Sequence, residues 1–293
     1  MFKILKALTT ATALVLGSGA AQAAEHLKVN VFNPGDKSFF PVTSTLITGE
    51  TEAILVDAQF HTNDAESVVN MIAESQKKLK AIYISDNDPD FYFGLDTILT
   101  AYPDTPIYAA PKIIQKIEKA YKGKLAYWGP KLEETAPKKV IIPSALPSNK
   151  LSIGGHEVRI VGADDSATKG TYIWLPSMKT VVAGVSVYEN VHVWMADSQT
   201  KESRDQWRKV LNSIEALEPK QTIPGHFLGK SDYNLKAVTF TKEYVANFEE
   251  AAAASKNSEE LVEKMKKLYP DFTNIGDLEL SAKVIMGEMS WGS

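Results

Sequence analysis

Three aspartates alternate in Ser85-Asp86-Asn87-Asp88-Pro89-Asp90-Phe91, directly behind the short apolar run Ala81-Ile82-Tyr83-Ile84. Carboxylates this close repel one another unless something positive lies among them. A bound cation would serve. So would the backbone N–H groups of a helix start: a helix begins near Phe91, and a carboxylate there can cap it, Asp90 above all. An EF-hand is excluded, because Phe91 stands where that loop needs glycine and Thr97 where it needs a bidentate glutamate. The chain has no G-x-S-x-G, P-loop or dinucleotide fingerprint, and Gly154-Gly155 is only a turn.

The elements that must position this turn follow from periodicity. Strand-like runs cover 27–32, 44–49 and 52–57, with Gly49-Glu50-Thr51 making a hairpin of the last two. A helix is expected over 65–79, with Val68, Val69, Ile72 and Ala73 on its apolar face. The strand 81–84, the aspartate turn, a helix over 92–102, a strand over 106–111 and a helix over 112–125 complete the first half. The second half has strand pairs in 150–163 and 171–184, a helix over 202–217 and a short strand over 221–226. Helices then follow at about 234–255, 258–268 and 276–286. Hairpins and helices in both halves predict two sheets packed face to face with helices outside.

Of 293 residues, 44% are hydrophobic and 23% charged, and the net charge is −4. Nothing in that balance favours nucleic acid or an anionic membrane as partner. Residues 1–23 read as a cleaved secretory signal: Lys3 and Lys6, a short apolar run, then Ala21-Gln22-Ala23, so the mature chain is expected to begin at Ala24. The expected location is periplasmic or secreted, with no membrane span after cleavage. With no cysteine in the chain, any metal site must use histidine and carboxylates.

The order of these signals, from "LVDAQ" through the acidic turn and "FGL" to "LPSMKTVVAG" and "IPGH", resembles the metallo-β-lactamase superfamily over roughly Leu27 to Phe227. The resemblance implies an α+β fold, a four-layer αβ/βα sandwich with additional C-terminal helices over about 234–293, all within one domain of residues 24–293. It implies a metal site along one edge of the sheets. The family's HxHxDH turn falls on Asp86 to Phe91, so Asp86, Asp88 and Phe91 replace its histidines and Asp90 keeps its aspartate. The bridging aspartate of the family's "AGD" gives way to Val185, and the middle histidine falls within 162–170, where Asp164, Asp165 and Ser166 are the candidates. His226 alone persists among the ligand histidines.

Zinc prefers imidazole and thiolate, so a two-zinc site is not expected. An oxygen-rich set of Asp86, Asp88, Asp90 and His226, joined by Asp164 or Asp165, suits one Mn, Mg, Ca or Fe ion. On the resemblance, Asp90 and His226 are the catalytic candidates of a hydrolase acting on an ester, lactone or amide. His192, Trp194, Phe91 and Tyr92 are the candidates for contacting a small-molecule substrate, and Trp128 and Tyr188 are further aromatic candidates for that pocket. His61 lies in a loop on the same edge and is read as solvated. The alternative is a periplasmic binding protein that keeps the fold and has lost the catalysis.

Overall fold

The computed structural model describes residues 27–164 and 170–291. The leader 1–23, the expected start at Ala24, and Asp165 and Ser166 lie outside these residues. The first sheet has the order β1 (Lys28–Phe32), β2 (Ser44–Thr48), β3 (Glu52–Val56), β4 (Lys78–Ile84), β5 (Ile107–Ala109), β6 (Ser144–Ala145). Its first three strands are antiparallel, and β3 to β6 run parallel. Parallel strands need crossovers. Helix α1 (Thr62–Ser75) supplies one, α2 (Pro89–Tyr92) with α3 (Leu95–Ala101) the next, and α4 (Pro111–Leu132) the third. Every residue of β2 is buried, Ser44, Thr45 and Thr48 included, as are Ala53 to Val56 of β3, and the latter read as an unbroken apolar run.

The second sheet comprises β7 (Lys150–Ile153), β8 (His156–Val161), β9 (Tyr172–Leu175), β10 (Thr180–Val182) and, after α5 (Lys201–Ala216), β12 (Gln221–Ile223), in the order β12-β10-β9-β8-β7. A two-stranded pair, β11 (Tyr188–Glu189) with β13 (His226–Phe227), joins the two halves, because His226 also bridges to Val42 beside β2. Helices α6 (Lys236–Ala253), α7 (Ser258–Leu268) and α8 (Ile275–Ile285) form the tail. No helix among the described residues is long and apolar enough to cross a membrane. Residues of both sheets and of α1 and α4 to α8 share one buried core.

Three boundaries depart from expectation. Helix α1 ends at Ser75, with Gln76 in the left-handed region, because Lys78 and Leu79 already pair with Glu52 and Ala53. Sheet pairing there outweighs the helix propensity of the lysines. Helix α4 continues to Leu132 through Gly129-Pro130, which brings Lys124, Tyr127 and Trp128 onto one rigid element. The expected strand 221–226 breaks at Pro224-Gly225, and its last residue leaves the second sheet for β11.

Candidate functional site

The aspartate turn is anchored from below by a carboxylate the sequence did not single out for chemistry. Asp57, just past β3 at φ 63°, accepts the Ser85 backbone N–H at 2.8 Å and the Ser85 hydroxyl at 2.7 Å. This ties together the carboxyl ends of the parallel strands β3 and β4. Burial raises the Asp57 pKa well above the ordinary range, and the two Ser85 hydrogen bonds only partly oppose that rise.

Above this anchor the three aspartates separate. Asp86 Oδ1 accepts the backbone N–H of Asp88 at 3.0 Å, a turn closed by its own side chain. Asp88 sits at the N-cap position of α2, yet its side chain does not cap the helix. Its Oδ1 instead accepts from the Lys124 ammonium at 2.8 Å, and Lys124 Nζ also donates to the Asn87 carbonyl at 3.0 Å. Asp90 lies in the first turn of α2 and is not its cap either. Its Oδ2 lies 2.8 Å from His226 Nε2, across 136 positions of sequence. Among the described residues, the cationic side chain that reaches the aspartates is Lys124, and the imidazole that does so is His226.

Lys124 responds as such a pairing requires. Burial acts to lower its pKa, but the Asp88 charge and hydrogen bond, aided by Tyr92 and Asp197, outweigh burial and drive it above its ordinary value. His226 is clamped by rings: Tyr188 stacks on it at 4.8 Å and Phe91 meets it edge-on at 5.3 Å. Its Nδ1 is buried and has no hydrogen-bond partner among the described residues.

The Asp90–His226 pair opens onto a cavity of about 380 Å³. Tyr127 and Trp128 of α4, Tyr188, Trp194 and Trp291 give it aromatic walls. Asp197 is held there by two indole N–H groups, from Trp194 at 2.6 Å and Trp291 at 3.0 Å. Asp277 of α8 accepts from Asn274 at 2.8 Å. Burial raises the Asp277 pKa from 3.8 to about 7, opposed by the Asn274 hydrogen bond and assisted by the Asp90 charge.

That shift makes a testable statement about stability. An acid whose pKa is higher folded than unfolded holds more protons in the folded state between the two values, so stability falls as pH rises through that interval. Asp277 should contribute such a fall between about pH 4 and 7 and none above it. Urea midpoints measured from pH 4 to 8 should show wild type losing ground relative to Asp277→Asn across that window, and parallel curves would refute the assignment.

Several expected site residues lie elsewhere. Phe91 and Tyr92 are fully buried and are not among the cavity walls; they support the turn from behind rather than facing a ligand. Asp164 accepts from the Asn149 side chain on the exposed surface, away from the cavity. His61 is half-buried, stacked on Phe39 at 5.7 Å with Nδ1 2.7 Å from the Thr135 hydroxyl, rather than solvated. His192 and Trp194 do line the cavity. His192 is wholly buried, lies 2.9 Å from the Tyr244 hydroxyl, and has its pKa lowered to about 4 by burial. Lys124, Tyr127, Asp197, Asp277 and Trp291 escaped the sequence reading. A signal for Lys124 existed: it stands four residues before Trp128, on the same face of one helix.

No family model matches the chain, and no curated protein matches it significantly. Solved structures do. A metallo-beta-lactamase family protein from Thermus thermophilus superposes with a TM-score of 0.63 at 16% identity, over 89% of this chain and 91% of that one. A metallo-beta-lactamase from Pontibacter korlensis gives 0.52 at 13% identity, over 76% and 100%. The metallo-beta-lactamase IND-7 gives 0.54 at 17% identity, over 77% and 94%. The chain has the α+β metallo-β-lactamase fold.

That fold implies a metal at this edge, and the residues present do not fit one of the zinc type. Without cysteine, a family-type zinc site rests on imidazole nitrogens; among the described residues His226 alone reaches the turn, and its Nε2 is already engaged by Asp90. The hard-cation set of Asp86, Asp88, Asp90 and His226 fares no better as a chelate. Its carboxylates turn to three different partners, one of them an ammonium that would repel a metal ion. Among the described residues no three His, Cys, Asp or Glu side chains are grouped to hold a metal ion.

Proposed function

We propose that this protein is exported and binds a small organic molecule in the aromatic cavity at the former metal edge of its fold. The observation that carries the reading is the cavity itself: about 380 Å³, aromatic on several sides, with a few polar groups converging on it. This is the usual make-up of a small-molecule site. In the neighbouring turn, meanwhile, Lys124 is engaged with Asp88 and the Asn87 carbonyl.

One observation favours a second reading, hydrolysis of an ester, lactone or amide. Asp90 holds His226 by Nε2, and Nδ1 has no hydrogen-bond partner among the described residues. An imidazole oriented by a carboxylate can take a proton from water at its other nitrogen. On this reading His226 is the general base and Asp90 its orienting partner, with no step passing through a metal.

Trp128, Trp194 and Trp291 all border the cavity, so tryptophan fluorescence reports occupancy. Ring-bearing small molecules should quench it saturably and raise the melting temperature, and Trp128→Ala should remove both responses. Aryl ester and lactone turnover should be absent. Turnover that survives metal chelation and falls about a hundredfold or more in His226→Gln would replace the binding reading with the hydrolytic one.

A further inference from the structure

Resting on the reading of this cavity as a ligand site, we infer that its ligand is an organic cation: an ammonium group carried on an apolar or aromatic body. The first argument is charge. Among the described residues, Asp88, Asp90, Asp197 and Asp277 border the cavity, against the ammonium groups of Lys119 and Lys124. Lys124 is engaged by Asp88 and the Asn87 carbonyl, and Lys119 is exposed at the rim. Asp277 is bonded by a neutral amide, and no cationic side chain among the described residues forms a salt bridge with it. A desolvated carboxylate in that position gains most from a ligand that brings positive charge.

The second argument is the direction of the unmet hydrogen bonding. The Asp90 carboxylate can only accept, so His226 Nε2 carries the hydrogen of their 2.8 Å contact. His226 Nδ1 is buried and without a hydrogen-bond partner among the described residues, in a side chain only 7% exposed. The wall thus offers the Asp277 carboxyl group as an acceptor, and a ligand suited to it supplies a donor.

The third argument is the aromatic wall. Ring faces attract ammonium groups, as Lys131, itself outside the cavity lining, shows with Nζ 3.6 Å from the Tyr127 ring centroid. Trp194 and Trp291 meet at 5.5 Å, each turning its indole N–H to Asp197. That fixes two further rings beside the carboxylates, so apolar body and charged head find their partners within one cavity.

Benzylammonium, benzyl alcohol and benzoate are near-isosteric probes that differ in charge. They should be titrated at about pH 8, above the Asp277 pKa of about 7, with tryptophan fluorescence and calorimetry as readouts. Benzylammonium should bind at least about tenfold more tightly than either of the others. Asp277→Asn should cut that preference severalfold by weakening benzylammonium far more than benzyl alcohol, and its far-UV circular dichroism and cooperative thermal melt check that the variant is folded. Should Asp277→Asn fail to fold, Asp197→Asn serves the same comparison. Benzyl alcohol or benzoate binding as tightly as the cation would overturn the inference and leave the cavity standing as a ligand site. No saturable response to any of the three would overturn both.

Discussion

Gly225→Ala should cost the protein on the order of 3–5 kcal/mol, among the most damaging of single substitutions. A Cβ at Gly225 would lie 2.1 Å from the Gly184 carbonyl oxygen and 2.4 Å from its carbon. These are backbone atoms that cannot rotate aside. Gly225 is also tied down on both sides: its N–H donates to Val187, its carbonyl accepts from Thr43, and the Thr43 hydroxyl bonds the Pro224 carbonyl at 2.6 Å. Gly94→Ala should be comparably severe, since its Cβ would meet the Ala58 carbonyl oxygen at 1.9 Å and the Ala65 Cβ at 2.7 Å. In a chain of this size such losses lower the melting temperature by roughly 10 °C or more. Gly123→Ala is the control. It sits within α4 with nothing inside 4 Å of the new Cβ, so helix propensity alone should stabilise it by about 0.5–1 kcal/mol. Thermal melts of the three variants decide the matter, and a near-wild-type Gly225→Ala would show that the close backbone approach is not as described.

Those two glycines also explain why the fold was legible while the site was not. "FGL" and "PGH" are the words by which the sequence resembled the metallo-β-lactamases, and in each the glycine is required by backbone contact between elements. The demand is for packing, and it holds whatever the edge of the fold does chemically. The buried strands β2 to β4 and the amphipathic α1 were readable for the same reason, since burial imposes a period on the residues that experience it. The aspartate turn was readable only as a question. Three carboxylates announce that something positive is near, but a neighbour 36 residues on, contributed by another helix, leaves no mark on the local pattern. Asn274, Asp277 and Trp291 were further out of reach, because they belong to the tail that the resemblance placed beyond the family's core. Phe91 and Tyr92 were misplaced because an aromatic ring beside a site can serve equally as wall or as footing, and only packing separates the two.

Lys124→Met should destabilise the protein by about 1–3 kcal/mol, and the loss should come from Asp88 rather than from packing. Methionine keeps much of the lysine stem's length and apolar bulk, so the substitution chiefly deletes the ammonium. What remains is a carboxylate at Asp88 and a carbonyl at Asn87, each deprived of a donor. Removing one partner of a fully buried pair costs about 3–5 kcal/mol. Here the side chains of Lys124 and Asp88 retain 15% and 20% exposure, so water recovers part of that and the lower range applies. The raised lysine pKa fixes the sign with pH. The pair's contribution is fully present below the ordinary lysine value of 10.5 and is lost only as pH climbs beyond it. Asp88→Asn in the Lys124→Met background should restore most of the loss, because a neutral amide tolerates the site without a cation; a double-mutant cycle reads this coupling directly. The same variants separate ammonium from metal. Wild type should purify with clearly less than stoichiometric zinc, and Zn²⁺, Mn²⁺, Mg²⁺ and Ca²⁺ should leave its melting temperature unchanged, since the charge they would supply is already covalently present. Were wild type to gain stability from a divalent cation, and Asp88→Ala to lose that gain, the turn would be a metal site after all and Lys124 only its neighbour.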